Sequence, residues 1–426
     1  TLQGAITHTS GSGDLYARTF SNSGTITASA GTLDFGATTA GYNGSNTGTI
    51  VAAGYAATAG KLVGKSIDQT TLFDVKPTKA LGEHNLKAVV STATGGFVAV
   101  GAHKNGLGEP VDESAYVIQV DADGKVAWEF GRTNKEGQLQ NNHGGAGTGL
   151  AVRPNGGAVV VGYYGAYFAP GIFWYQGLLT EVGANGAVAG IDKLYDVPSP
   201  YARQFFHRVA VAPAGGYWVG ALVQSAGGAG GLARLLSIHA NGNVMFDKYF
   251  ATITPGKAQA VNQLIADTEG VTVFGMSGYG PSGTEDAWMA RVNNNNGVQW
   301  ERHLGGMGAD AIEGAVSAPQ GGCFVAGRST PLGSSKEYPW LAKLTASGVL
   351  VWQKYFDYPD SAWLGITLAP TGHILLVGRT AFKANGPTDA LQARCDGYGN
   401  CDCGSSGACL TKKPADCDDK NPCTAE

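Results

Sequence analysis

Residues 314–355 read GAVSAPQGGCFVAGRSTPLGSSKEYPWLAKLTASGVLVWQKY, and this stretch decides the fold. A short apolar run (Ala315-Val316-Ser317-Ala318) meets a turn (Pro319-Gln320-Gly321-Gly322) and a second apolar run, Cys323-Phe324-Val325-Ala326-Gly327. A polar loop leads to Trp340-Leu341-Ala342-Lys343-Leu344. A turn ending at Gly348 then leads to Val349-Leu350-Val351-Trp352-Gln353-Lys354-Tyr355. Short β-prone runs bounded by Gly, Pro and Ser clusters read as strands, so the stretch is four strands in succession.

The same four segments recur. The second segment ends in Gly101, Gly162, Gly220, Gly275, Gly327 and Gly378, at steps of 61, 58, 55, 52 and 51 residues. The turn before the fourth carries Gly124, Gly186, Gly242, Gly297, Gly348 and Gly399, at steps of 62, 56, 55, 51 and 51. Two independent markers keep one shrinking period. No window shows the 3.6-residue periodicity of a helix. Six copies of four strands predict an all-β fold, a six-bladed β-propeller over residues 69–400. The sixth copy has Cys401-Asp402-Cys403 where its fourth strand belongs. Residues 70–76, with Thr71-Leu72-Phe73-Asp74-Val75, are expected to supply that strand and close the ring by strand exchange.

Residues 1–68 form a separate β extension, poor in charge and rich in Gly, Thr, Ser and Ala. Gly24-Thr25-Ile26-Thr27 and Gly48-Thr49-Ile50-Val51 follow Asn-containing turns, a rhythm similar to the coils of β-solenoid adhesins. An antiparallel meander is the alternative. Residues 401–426 form a Cys-rich tail. Cys395, Cys401, Cys403, Cys409, Cys417 and Cys423 read as up to three disulfides with the pairing open, and so as a secreted or cell-surface protein. Zinc fits these spacings poorly, because no C-x-x-C occurs and no His follows Cys395.

The repeat motifs Asp286-Ala287-Trp288-Met289-Ala290-Arg291 and Gly348-Val349-Leu350-Val351-Trp352-Gln353-Lys354-Tyr355 resemble secreted bacterial propeller repeats of the myxobacterial type. The tail Asp416-Cys417-Asp418-Asp419-Lys420-Asn421-Pro422-Cys423-Thr424 resembles the D-C-D-D-G-N-P-C-T motif of Cys-rich C-terminal regions in surface proteins of the same bacteria, with Lys420 in place of Gly. The resemblance implies surface location and binding more than any reaction.

Formal net charge is −4 with no basic block, so nucleic acid is not an expected partner. No apolar run is long enough for a transmembrane helix. No G-x-S-x-G, H-E-x-x-H or Walker pattern occurs, and no catalytic residue is assigned, so the chain reads as a non-enzyme. Cys323 replaces apolar residues of other copies and reads as core. The Gly124 turn (Asp121-Ala122-Asp123-Gly124) keeps Gly but loses its carboxylates in other copies, so it is a hairpin turn. No cofactor is expected, except that calcium would suit Asp402, Asp416, Asp418 and Asp419 of the tail.

A ligand or partner face is expected where copies one and two depart from the repeat. It comprises His143 and an aromatic loop containing Tyr163, Tyr164, Tyr167, Phe168, Phe173 and Trp174. Rings beside amides and carboxylates suit glycans or peptides. They equally suit packing on another part of the chain or a second copy. Near the axis, His84, Asp310 and Asp360 align roughly in one column, and His207 and Glu313 in another with Lys87. These residues underlie the rival reading, a glycan- or peptide-active enzyme; acids at such positions also commonly cap turns. The leading expectation is an extracellular binding or structural protein that self-assembles through its N-terminal extension. Its partners would be itself, other surface proteins or glycan.

Overall fold

The computed structural model describes short strands between residues 6 and 64. It then describes residues 84–401 except 93, 95, 105–112, 123–124, 132–142, 170–171, 198–200, 226–229, 252–256, 279–283, 306–307, 332–333, 370 and 381–388. The chain divides into two compact units. One comprises Thr1–Asp74, His373–Leu375 and Leu391–Glu426; the other comprises Val75–Gly372 and Leu376–Ala390.

The first unit contains a stack of parallel coils. Ile6–His8 pairs with Thr25–Ala28, and that strand with Thr49–Ala52. Ser12–Asp14, Thr32–Asp34 and Tyr55–Thr58 form a second parallel series, and Thr19–Asn22 with Asn43–Asn46 a third. Ile6 lies on Ile26 and Ile26 on Ile50, so the repeated Thr-Ile motif marks successive rungs of one face. Of the two alternatives for this region, the pairing follows the solenoid. Leu62–Gly64 pairs antiparallel with Tyr55–Thr58 at one end of its series. Cys395 and Cys401 of this unit form a disulfide. The other four tail cysteines and the tail aspartates lie outside the described residues, as do residues 70–76.

The second unit is built of consecutive antiparallel meanders. The first consists of His84–Ser91, Phe97–Lys104, Glu113–Val120 and Val126–Gly131. The second consists of His143–Val152, Ala158–Ala169, Ile172–Val182 and Val188–Tyr195, and the third of Arg203–Val211, Tyr217–Gln224, Leu232–Ile238 and Val244–Tyr249. One parallel bridge, Tyr175 to Arg203, joins these two. Gln259–Asp267, Gly270–Ser277, Asp286–Asn293 and Val298–Leu304 make the fourth. Asp310–Ser317, Cys323–Ser329, Tyr338–Leu344 and Leu350–Tyr355 make the fifth. The last sheet has three described strands, Ser361–Leu368, Ile374–Thr380 and Asp389–Cys395. From one meander to the next, first strands pack on their successors in chain order. Serial meanders packed in this way are the β-propeller arrangement.

Four hydrophobic cores among the described residues lie between two successive meanders, and a smaller one lies within the first. Val98, Val100 and Trp128 of the first join Leu150, Val160 and Val182 of the second. Phe274 and Met289 of the fourth join Ile312, Val325 and Trp340 of the fifth. Cys323 belongs to this last core, and burial pushes its thiol up to about 12. The second and third strands of a meander are buried on both faces and read as continuous apolar runs, whereas the first is partly buried and the fourth half exposed.

Both glycine markers have a steric cause. In the first strand of meanders one to five the register slips by one residue, a β-bulge. The bulge turns a carbonyl onto the second strand. A Cβ at Gly101, Gly162, Gly275 or Gly327 would lie 1.9 Å from the oxygen of Asn85, Ala146, Ala260 or Ala311, so no side chain fits there. In the third meander the position opposite Phe206 is Ala221. The marker assigned there to Gly220 is therefore displaced by one; Gly220 instead leaves room for Val261. The second marker is a latch at two junctions, whereas Gly242 faces Ile191 and Tyr195 and Gly297 faces its own Asn293. Gly186 and Gly348 have φ of 78° and 73°, and a Cβ there would lie 2.8 Å from Trp128 and 2.9 Å from Trp300 of the preceding meander.

Candidate functional site

The bulge decides which side chains reach the inner face. The extra residue of each first strand is Lys87, Thr148, His207, Asn262 or Glu313 in meanders one to five. A bulge re-aims its side chain out of the pleat, so these residues form one series along the inner strands. Thr148 Oγ1 donates to the Phe206 carbonyl. Asn262 Nδ2 donates to the Ile312 carbonyl at 2.9 Å and to Glu313 Oε2 at 3.2 Å. Glu313 Oε1 accepts from Arg328 Nε at 3.2 Å. Arg328 Nη1 reaches Glu337 at 2.6 Å, and Arg379 holds the other oxygen of Glu337 at 2.7 Å.

The residue after the bulge is small or neutral in most meanders: Ala88, Gly149, Gln263, Gly314. In the third it is Arg208. Its guanidinium donates to three carbonyls: Asn262 through Nε, and Thr148 and His207 through Nη1. Burial lowers its pKa, opposed by the nearby Glu313 charge. Beside it, burial first and then the charges of Arg208 and Lys87 push the His207 imidazole down to about 4, so it is neutral at pH 7.

Two residues before the bulge the other meanders carry Asn85, Ala146, Ala260 and Ala311. The third carries Phe205, which starts an aromatic cluster. Its ring centroid lies 5.1 Å from Tyr163, 5.0 Å from Tyr175 and 6.4 Å from His207, and Tyr163 and Tyr175 meet edge-on at 5.7 Å. Cations flank the cluster. Lys87 Nζ lies 5.8 Å from the Tyr163 centroid, and the Arg203 guanidinium carbon 5.9 Å from that of Tyr175. Three meanders thus contribute to one aromatic and cationic surface.

No protein-family model matches the chain, and no curated protein matches it. Among solved structures it is similar to the NanB sialidase of Streptococcus pneumoniae (8% identity, TM-score 0.49, 78% of this chain and 71% of that one). It is also similar to a protein of unknown function from Bacteroides caccae (14%, TM-score 0.38, 64% and 82%). A third is the Pan2 WD40 domain of Neurospora crassa (10%, TM-score 0.40, 74% and 78%). Identities this low transfer no activity.

The structure redistributes the residues expected at the site. Tyr163, Tyr164 and Trp174 do not lie on a loop. Residues 158–169 and 172–182 pair as a long hairpin with Tyr163 opposite Gly177 and Tyr164 opposite Gln176. Aromatic residues favour strands, and here they carry the pairing past the point where other meanders end it. Trp174 is exposed. His143 pairs with Ala166 at the start of its strand, and Tyr167 and Phe173 pair with each other in the same hairpin. The side chains of His84, His143, Tyr167, Phe168 and Phe173 lie outside those described.

His207 and Glu313 share the bulge series as expected. Asp310 is buried, three residues before its bulge. Asp360 does not share its column. The equivalent residue is Ser361, whose hydroxyl donates to Thr380 Oγ1 at 2.6 Å, while Asp360 has φ of 59° and pairs with Lys336 at 3.5 Å. Sequence reasoning missed Arg203, Phe205 and Arg208. The signal was present: Phe205 stands in a column of three alanines and Asn85, and Arg208 in a column of small or neutral residues, once the strands are aligned on the bulge.

Proposed function

We propose that the chain is an extracellular binding protein: a six-bladed propeller, closed by residues 70–76, whose ligand face is the inner mouth formed by its first three blades. The observation that carries this is local departure from a regular scaffold. Phe205 and Arg208 of the third meander occupy positions that are small or neutral in the other bulged meanders, and Tyr163 and Tyr175 of the second lie against the Phe205 ring. Half-buried rings beside polar groups suit the flat apolar faces and hydroxyl edges of a glycan. Support for binding over catalysis comes from two of the acids on which an enzyme reading would draw. Glu313 is held by Arg328 and Asn262, and Asp360 by Lys336. The Cys395–Cys401 disulfide fits an oxidising compartment.

Self-association through the coil stack is the second part of the proposal. Ile6–His8, Ser12–Asp14 and Thr19–Asn22 each end their series of described strands, and such edges accept further strands. Two measurements test the reading. Retention on immobilised neutral and acidic polysaccharides should be clear for the full chain and should fall at least about fivefold for Tyr163→Ala, a loss of about 1 kcal/mol. Equal retention of the variant, or none by either protein, overturns the ligand face. Deleting residues 1–68 should remove higher-order species in size exclusion, and unchanged assembly overturns the second part.

A further inference from the structure

Among the described residues no carboxylate pairs with the three cations of this surface: Lys87, Arg203 and Arg208 make no ion pair, and neither do Arg302 and Arg394, whereas Arg153, Arg234, Arg291, Arg328 and Arg379 do. Arg208 is satisfied by carbonyls alone, which bond its N–H groups but leave its charge in place. Arg203 Nε is buried with no hydrogen-bond partner. Lys87 is exposed, and its ammonium lies over the face of Tyr163. Glu313, the acid whose charge acts on Arg208, is itself bonded to Arg328 and Asn262. Positive charge left uncompensated in a partly buried mouth is unfavourable, and an entering anion removes that penalty.

The cations do not stand alone. They frame the Tyr163, Tyr175 and Phe205 rings, so an occupant must present a flat apolar face as well as negative charge. A pyranose ring bearing a carboxylate has both. We infer that the mouth is a subsite for the carboxylate of an acidic saccharide, a hexuronate unit, with Lys87 and Arg203 contacting the carboxylate and the aromatic cluster contacting the sugar ring. This rests on the reading of the mouth as a ligand face and names its ligand class. Arg208 acts as a positioning residue, holding the backbone of three first strands in place.

The test is titration calorimetry of the full chain with trigalacturonate and with the neutral galactotriose, at low and at physiological salt. Trigalacturonate should bind at least about tenfold more tightly than galactotriose, and the preference should shrink as salt rises. Lys87→Gln and Arg203→Gln should each remove most of that preference while leaving the melting temperature of the exposed Lys87 variant unchanged. Tyr163→Ala should weaken both ligands together. Equal binding of the two trisaccharides, or undiminished preference in both charge variants, overturns the carboxylate subsite and leaves the ligand face standing. Acetate competing at the affinity of trigalacturonate overturns the saccharide part. Failure of both trisaccharides to bind, together with no retention on either kind of polysaccharide, overturns the ligand face as well.

Discussion

The imidazole of His207 offers a quantitative check on the inner face. In the unfolded chain it titrates near 6.5, and in the folded chain burial with Arg208 and Lys87 holds it at about 4. The groups facing it are Lys87 and Arg208, both positive, and Glu313 across the strands. As pH falls below 6.5, the unfolded chain takes up a proton that the folded chain refuses. Stability therefore drops with falling pH until the folded group also titrates near 4, and is flat below that. Between pH 7 and pH 4.5 the linkage amounts to a ceiling of about 2.5 kcal/mol, and solvent reaching the half-buried ring trims it. Carboxylates titrate in the same window, so the comparison must be with His207→Gln, which lacks this proton and keeps the rest. Urea unfolding followed by tryptophan fluorescence at both pH values should show the wild type losing more stability than the variant, by between about 1 and 2.5 kcal/mol. Parallel losses in the two proteins, or an imidazole that titrates near 6.5 by NMR in the folded chain, would refute the placement of His207 among cations.

Other substitutions test other parts of the scaffold. Gly327→Ala places a Cβ 1.9 Å from the Ala311 carbonyl and should cost roughly 1–3 kcal/mol in chemical denaturation, whereas Ala221→Gly in the third meander should cost under about 1 kcal/mol. Trp300→Ala empties the latch over Gly348 and should destabilise by about 2 kcal/mol, below the range for a fully buried Trp because this ring is half exposed. Cys323, with its thiol pushed up to about 12, should resist iodoacetamide at pH 8 in the native protein and react once unfolded, as read by mass spectrometry.

Much of the architecture was legible because its steric causes leave residues behind. The second-strand glycine records a carbonyl, and the turn glycines Gly186 and Gly348 record a tryptophan of the neighbouring meander. Cys323 read correctly as core because its copies are apolar. The errors have one origin, which is that the bulge and the hairpin turns change the count locally. In the last sheet His373 fills the place of the second turn glycine, so alignment on Gly372 selected Asp360 where Ser361 belongs. In the third meander a neighbouring glycine, Gly220, drew the marker away from Ala221. The hairpin of residues 158–182 read as a loop because no repeat-wide rule sets how far a strand pair extends. Phe205 and Arg208 were invisible for another reason. In a strand rich in aromatics and cations, only the other meanders show that this position is ordinarily alanine or glycine.

The tryptophan–glycine latch also bears on how such an array changes size. At two junctions, between meanders one and two and between four and five, one unit offers a protruding ring and the next a vacancy, so knob and socket are carried by different units. Residues 314–355 carry the socket Gly348 and, at the position of Trp300, the ring of Trp352. A tandem copy of this stretch therefore brings both halves of the latch to the new junction between the copies. Variation in blade number is therefore sterically cheap in this lineage of folds, and it leaves departures such as Phe205 and Arg208 as the places where selection for a particular ligand leaves its mark.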